Sequence, residues 1–172
     1  MSETIGAFTV DEIRQDFPYL TRRGRAGGPI AYFDASATSQ KPSCVIDAVT
    51  DFYRHHNGAV HRGTHVLSDD STQLYEDARA TVARFIKARP DEVVWTKNAT
   101  EALNIVAYAM TNGSAGGSTG HDVRFSLQAG DRVVISRAEH HSNLVPWQLA
   151  CQRSGAELKW LDLDPEGRID LD

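Results

Sequence analysis

The sequence predicts an α/β fold, a parallel sheet covered by helices. Three observations carry this. From residue 91 onward the short apolar runs EVVWT, RVVIS and ELKWL alternate with segments of helical period. Those segments place apolar residues three and four apart, as Leu74, Ala78, Val82, Phe85 and Ile86 do earlier in the chain. At 172 residues, 41% hydrophobic and 24% charged, the chain is long and apolar enough for a domain core.

The elements follow in order. Thr9 and Glu12 have the spacing of a capping box, and VDEIRQDF is polar-apolar up to Pro18, which predicts a short N-terminal helix. RRGRAGG reads as a flexible link and IAYF as a brief strand. Pro42 suits the first turn of a helix through PSCVIDAVTDFYRHH, whose Val45, Val49, Phe52 and Tyr53 share a face. NGAVHRGTHVLSDD has no period and reads as a loop. A long helix is predicted over TQLYEDARATVARFIKA. EVVWT is a buried-type strand, and NATEALNIVAYAM a helix with Asn98 and Glu101 as a cap-like pair. RVVIS is a strand, LVPWQLACQRSG a helix ending near Gly155, and ELKWL a strand. TNGSAGGSTGHD, rich in Gly and Ser, reads as a mobile surface insertion.

Bulk properties narrow the function. A net charge of −5 argues against a general electrostatic grip on nucleic acid or an anionic membrane. No apolar run approaches the roughly 20 residues that span a bilayer, and the N-terminus has no secretory signal pattern. Cys44 and Cys151 stand far apart without CxxC spacing, which suits a reducing compartment. The expectation is a cytoplasmic protein.

Three constellations have chemistry within reach. WTKNATEALN joins a strand to a helix start, where unpaired amides and the Thr100 hydroxyl suit an anion; an ordinary cap is the plainer alternative. In AVHRGTHVLS, His61 and His65 are four apart, but too few further ligands accompany them for zinc, and no metal is expected. Arg62 suits a carboxylate or phosphate, or else a surface or partner-chain contact. In RAEHHSNLVPWQLA, His140 and His141 follow RVVIS in the loop at the carboxyl edge of a parallel sheet, where ligands bind. A stacking, proton-exchanging or idle role is open for each.

Together YFDASATSQKP, AVHRGTHVLS, KNATEALNIVAY and AEHHSNLVPWQ resemble one family, in its order and from about residue 10 onward. They resemble the group II (SUF-type) cysteine desulfurases, of the class V aminotransferase-like branch of pyridoxal-phosphate enzymes. The resemblance implies a fold type I enzyme, with helices on both faces of a mainly parallel sheet. It implies a homodimer that takes sulfur from L-cysteine, leaving L-alanine and an enzyme persulfide for a SUF-type acceptor in iron–sulfur cluster assembly. Its cofactor would be pyridoxal 5'-phosphate. By position, Ala99 and Thr100 would bind the cofactor phosphate, and His140 would stack on its ring and assist proton transfer. Ala35 and Ser36 would lie beside substrate, and His61 and Arg62 near the active-site mouth or dimer interface. Residues 1–30 would be an N-terminal helix and arm, and residues 31–172 the N-terminal part of the cofactor-binding large domain.

Two departures stand out. DASAT puts Ser36 where the family commonly has a small apolar residue, and residues 112–120 lengthen a connection. Nothing in the chain matches the family's Schiff-base lysine, the aspartate for the pyridine nitrogen, the mobile-loop cysteine or the arginine for the substrate carboxylate. Lys41, Lys87, Lys97 and Lys159 lie outside the lysine's motif, and Cys44 and Cys151 outside the nucleophile's. The 172 residues are therefore expected to be the front part of a longer enzyme and inactive alone. Two alternatives stand beside this reading: a selenocysteine lyase or another class V relative, and a truncated, non-catalytic module that binds a partner chain.

Overall fold

The computed structural model describes residues 4–112 and 123–170, and the chain divides into two compact units, Met1–Val93 and Val94–Asp172. Residues 113–122 of the predicted Gly/Ser insertion lie outside the described residues.

The first unit opens with an unpredicted antiparallel pair, Thr4–Ile5 (β1) and Phe8–Thr9 (β2). The helix Val10–Gln15 (α1) follows with its capping box complete. Thr9 Oγ1 accepts from the Glu12 amide at 3.2 Å, and the Glu12 carboxylate accepts from the Thr9 amide at 2.8 Å. RRGRAGG closes on itself: Arg23 bridges Pro29, and the Gly24 amide donates to the Gly28 carbonyl at 2.9 Å. The strand predicted at IAYF does not form. The Ile30 carbonyl accepts from the Arg14 guanidinium at 2.9 Å and Tyr32 Oη donates to the Asp34 carbonyl at 3.0 Å, so local bonds replace a ladder.

The helix predicted after residue 41 forms over Ser43–Asp51 (α2), with Pro42 at its N-cap, and continues as a π-turn through Phe52–His56. The long helix starts at Val66, ahead of the predicted Thr72, and runs to Ile86 (α3). Ser68, Asp69, Asp70, Ser71 and Thr72 look loop-like in sequence, but their hydroxyls have long-range and intrahelical acceptors. Ser68 Oγ donates to the Ala59 carbonyl at 2.5 Å, Ser71 Oγ donates to the His56 carbonyl, and Thr72 Oγ1 donates to the Ser68 carbonyl at 2.7 Å. Both serines are fully buried, so these bonds satisfy groups that would otherwise be costly to enclose. The helix ends at Lys87, which adopts a left-handed φ of 59°.

EVVWT does not become a strand. The Val93 amide donates back to the Pro90 carbonyl at 3.2 Å, and the Val93 carbonyl accepts from Arg79 Nη1 at 2.7 Å. Both main-chain groups are taken before any neighbouring strand can use them.

The second unit contains a βαβ arrangement. Arg132–Ser136 (β3) and Glu157–Leu161 (β4) pair in parallel, from Arg132 opposite Glu157 to Ser136 opposite Leu161. The crossover is the helix Val145–Ser154 (α5), which stops at Gly155 with φ 78°. The helix Ala99–Asn112 (α4) packs against α5. Ala107, Leu127, Ala150, Cys151 and Ala156 form the buried core, with Met110, Val133, Trp147 and Leu158 against it. Small side chains at 107 and 150 let α4 and α5 approach closely. Among the described residues no helix is long and apolar enough to cross a membrane.

Candidate functional site

In the second unit, α4 presents its N-terminus through a cap made in both directions. Asn98 Oδ1 accepts from the Glu101 amide at 2.9 Å, and the Glu101 carboxylate accepts from the Lys97 amide at 2.6 Å. Asn98 and Glu101 are the residues that sequence spacing marks as the cap pair. The cap satisfies the third amide of the helix and leaves the first two, those of Ala99 and Thr100, without an acceptor among the described residues. The Thr100 hydroxyl likewise has no partner among them. Two open amides, a hydroxyl and the positive end of the helix dipole suit a phosphate dianion.

His140 lies in the loop that leaves β3 at its carboxyl end, beyond Ser136. It is exposed, and it caps a short 3-10 turn over His141–Asn143. Its Nδ1 accepts from the Ser142 amide at 3.1 Å and lies 2.9 Å from Ser142 Oγ. The ring of His141 sits edge-on to that of His140, centroids 6.2 Å apart. A polar chain pins the turn from below. Ser136 Oγ donates to Glu139 Oε1 at 3.2 Å, Asn143 Nδ2 donates to Glu139 Oε2 at 2.9 Å, and Trp147 Nε1 donates to Asn143 Oδ1 at 2.9 Å. Beside it Arg137 pairs with Asp162 at the end of β4 and stacks over Trp160 at 5.3 Å.

The KNAT turn and the His140 loop do not leave the ends of neighbouring strands, because EVVWT is not a strand. The two features are joined differently: the His141–Asn143 turn packs against α4. Ala99, Thr100 and His140 thus belong to one unit.

Ala35, Ser36, His61 and Arg62 belong to the first unit. Ala35 and Ser36 occupy an exposed turn in which the Ala37 and Thr38 amides donate to the Asp34 carbonyl at 3.2 and 3.0 Å. Ala35 also lines a cleft of about 380 Å³ with Arg14, Phe17, Leu20, Tyr32, Ser39 and Gln40. The Ser36 hydroxyl has no partner among the described residues.

His61 is tied down. Its φ is 57°, its amide donates to Thr72 Oγ1 at 3.0 Å, and its Nε2 lies 2.9 Å from Glu76 Oε1. Glu76 also pairs with Arg79 at 3.2 Å. The neighbouring Arg62 guanidinium has no partner among the described residues. His65 Nδ1 caps α3, accepting from the Ser68 amide at 3.4 Å. His61 and His65 therefore serve α3 from two sides, and among the described residues no three metal-ligating side chains converge.

Sequence reading missed Ser142, Glu139 and Asn143 as supports of His140, and Glu76 as the partner of His61. The first group had a local signal, a hydroxyl two residues after a histidine and an S-x-x-E spacing from Ser136. The second pair, fifteen residues apart, had none.

A family model described as Aminotransferase class-V matches residues 31–172. A probable cysteine desulfurase of Streptomyces coelicolor is 46% identical over 172 residues, covering 99% of this chain and 39% of that protein. The apo structure of a cysteine desulfurase from Thermococcus onnurineus NA1 superposes with a TM-score of 0.78 at 34% identity, over 99% of this chain and 37% of that one. A mutant of C-DES with glycine covalently linked to its PLP cofactor shares the fold at a TM-score of 0.64 and 18% identity, over 87% of this chain and 33% of that one. The chain therefore spans about two fifths of the length of the curated relative. Its fold is α/β, of the fold type I class, and the chain belongs to the class-V aminotransferase family.

Proposed function

We propose that the protein is a cysteine desulfurase dependent on pyridoxal 5'-phosphate, and that residues 94–172 carry its phosphate- and ring-binding side. The observation that carries this is the open α4 N-terminus in the same unit as the His140 loop, on a chain 46% identical to a probable cysteine desulfurase. Ala99 and Thr100 would hold the cofactor phosphate with their amides and the Thr100 hydroxyl. His140 would lay its imidazole face on the pyridine ring and move a proton at Nε2. When bound, the cofactor supplies the electron sink for carbanion chemistry at the substrate.

The remaining assignments follow the same reading. L-cysteine is the substrate, with L-alanine and an enzyme persulfide as products. Ala35 and Ser36 lie beside that substrate, and His61 and Arg62 at the mouth of the site or the dimer interface. The left-handed His61, anchored to Glu76, supports a role for Arg62 as the outward-facing cation. The protein is a homodimer of the cytoplasm that passes sulfur to a SUF-type acceptor. Residues 1–30 form an arm, and residues 31–172 the first part of the large domain. The rest of the chemistry comes from residues outside these 172, and the 172 alone are inactive.

The test is His140→Ala in the full-length protein. Cofactor binding should persist while cysteine turnover falls by about two orders of magnitude or more, as loss of a general acid-base group produces. Near-normal turnover would remove His140 from the chemistry.

A further inference from the structure

We propose that Ser142 is a positioning residue that holds His140 in a single tautomer, with the ring proton on Nε2 whenever the imidazole is neutral. The functional consequence rests on the role proposed for His140 above; the tautomer itself rests only on the local geometry.

Donor and acceptor chemistry at Nδ1 decides the tautomer. The Ser142 amide lies 3.1 Å from His140 Nδ1, and a main-chain N–H can only donate. While that bond is kept, Nδ1 offers its lone pair. In a neutral imidazole one nitrogen donates and the other accepts, so an accepting Nδ1 places the proton on Nε2. The Ser142 hydroxyl reaches the same nitrogen at 2.9 Å and can turn its proton toward it. Two donors of one residue thus converge on one ring atom.

The turn that carries these donors is itself fixed. The Asn143 amide donates to the His140 carbonyl at 2.8 Å. The side chains of Ser136, Glu139, Asn143 and Trp147 link the end of β3 to α5 beneath it. Ring rotation about χ2 would exchange Nδ1 for a carbon and lose both bonds, so the same contacts fix orientation as well as tautomer. Proton exchange with a bound group is then confined to Nε2. Outer contacts of this kind commonly fix which nitrogen of a functional histidine is available.

Multiple-bond ¹H–¹⁵N correlation on the full-length protein, labelled at histidine nitrogen and recorded at alkaline pH, reads the tautomer directly. His140→Gln identifies the signals. The expected pattern is a pyridine-type Nδ1 and a pyrrole-type Nε2. Ser142→Ala, which keeps the amide but loses the hydroxyl, should move both shifts measurably toward a mixture. Ser142→Thr should restore the original pattern. A pyrrole-type Nδ1 or an even mixture in the unaltered protein would overturn the proposal, as would a Ser142→Ala spectrum identical to the original. Turnover of His140→Ala judges the functional reading separately, since the tautomer can be read without activity.

Discussion

Single residues divide into those that hold the scaffold and those left available. Cys151 is buried in the core, and burial pushes its thiol up from the ordinary value, because a thiolate there would lose its hydration. Cys44 is exposed at the start of α2. Burial leaves Cys151 poorly equipped as a nucleophile. Iodoacetamide at neutral pH should modify Cys44 at least about tenfold faster than Cys151, given the thiolate requirement and the difference in access; mass spectrometry of partially labelled protein reads the order. Equal rates would mean that the α4–α5 core opens readily. Gly58 shows the opposite kind of constraint, set by space: a Cβ there would lie 2.6 Å from the Leu67 carbonyl carbon, which is backbone and cannot step aside. His61 keeps a left-handed φ without being glycine, and its bonds to Thr72 and Glu76 offset a strain of about 1 kcal/mol or more.

At the scale of elements, helix ends were the most legible features of the sequence. Thr9 with Glu12, Asn98 with Glu101 and Gly155 all sit where their local chemistry places them, because a cap needs only residues three or four apart. Strands were less legible. RVVIS and ELKWL pair with each other, whereas IAYF and EVVWT carry the same apolar character but give their main-chain groups to Arg14, Arg79 and a local turn. A strand is a relation between segments, and its partner is not written in its own residues. The first six residues of α3 were hidden for a similar reason, since the acceptors of Ser68 and Ser71 lie at Ala59 and His56. The cap of α4 yields a quantitative expectation. Asn98→Ala should cost about 1 kcal/mol of stability, the usual worth of an N-cap, measured by denaturant unfolding. If Ala99 and Thr100 hold the cofactor phosphate as proposed, the variant should also bind the cofactor more weakly. A variant of unchanged stability would mean that Glu101 alone orders the helix start.

For the whole molecule, the candidate site was legible in part. Local residues marked the α4 terminus and the His140 loop, and resemblance assigned them roles. The supports of His140 had local signals, the S-x-x-E spacing of Ser136 and Glu139 among them, but the full chain through Asn143 to Trp147 is encoded by no single spacing. Phe33, Phe85 and Val94 remain largely exposed among the described residues, at 95%, 87% and 72%. The central proposal is that Ala99, Thr100 and His140 form one wall of a desulfurase site. The most direct measurement supplies L-cysteine to the full-length, cofactor-loaded protein and quantifies alanine together with enzyme-bound sulfur. The account predicts equimolar alanine and persulfide before any acceptor is added. Pyruvate with free sulfide, or no turnover of cysteine at all, would contradict it.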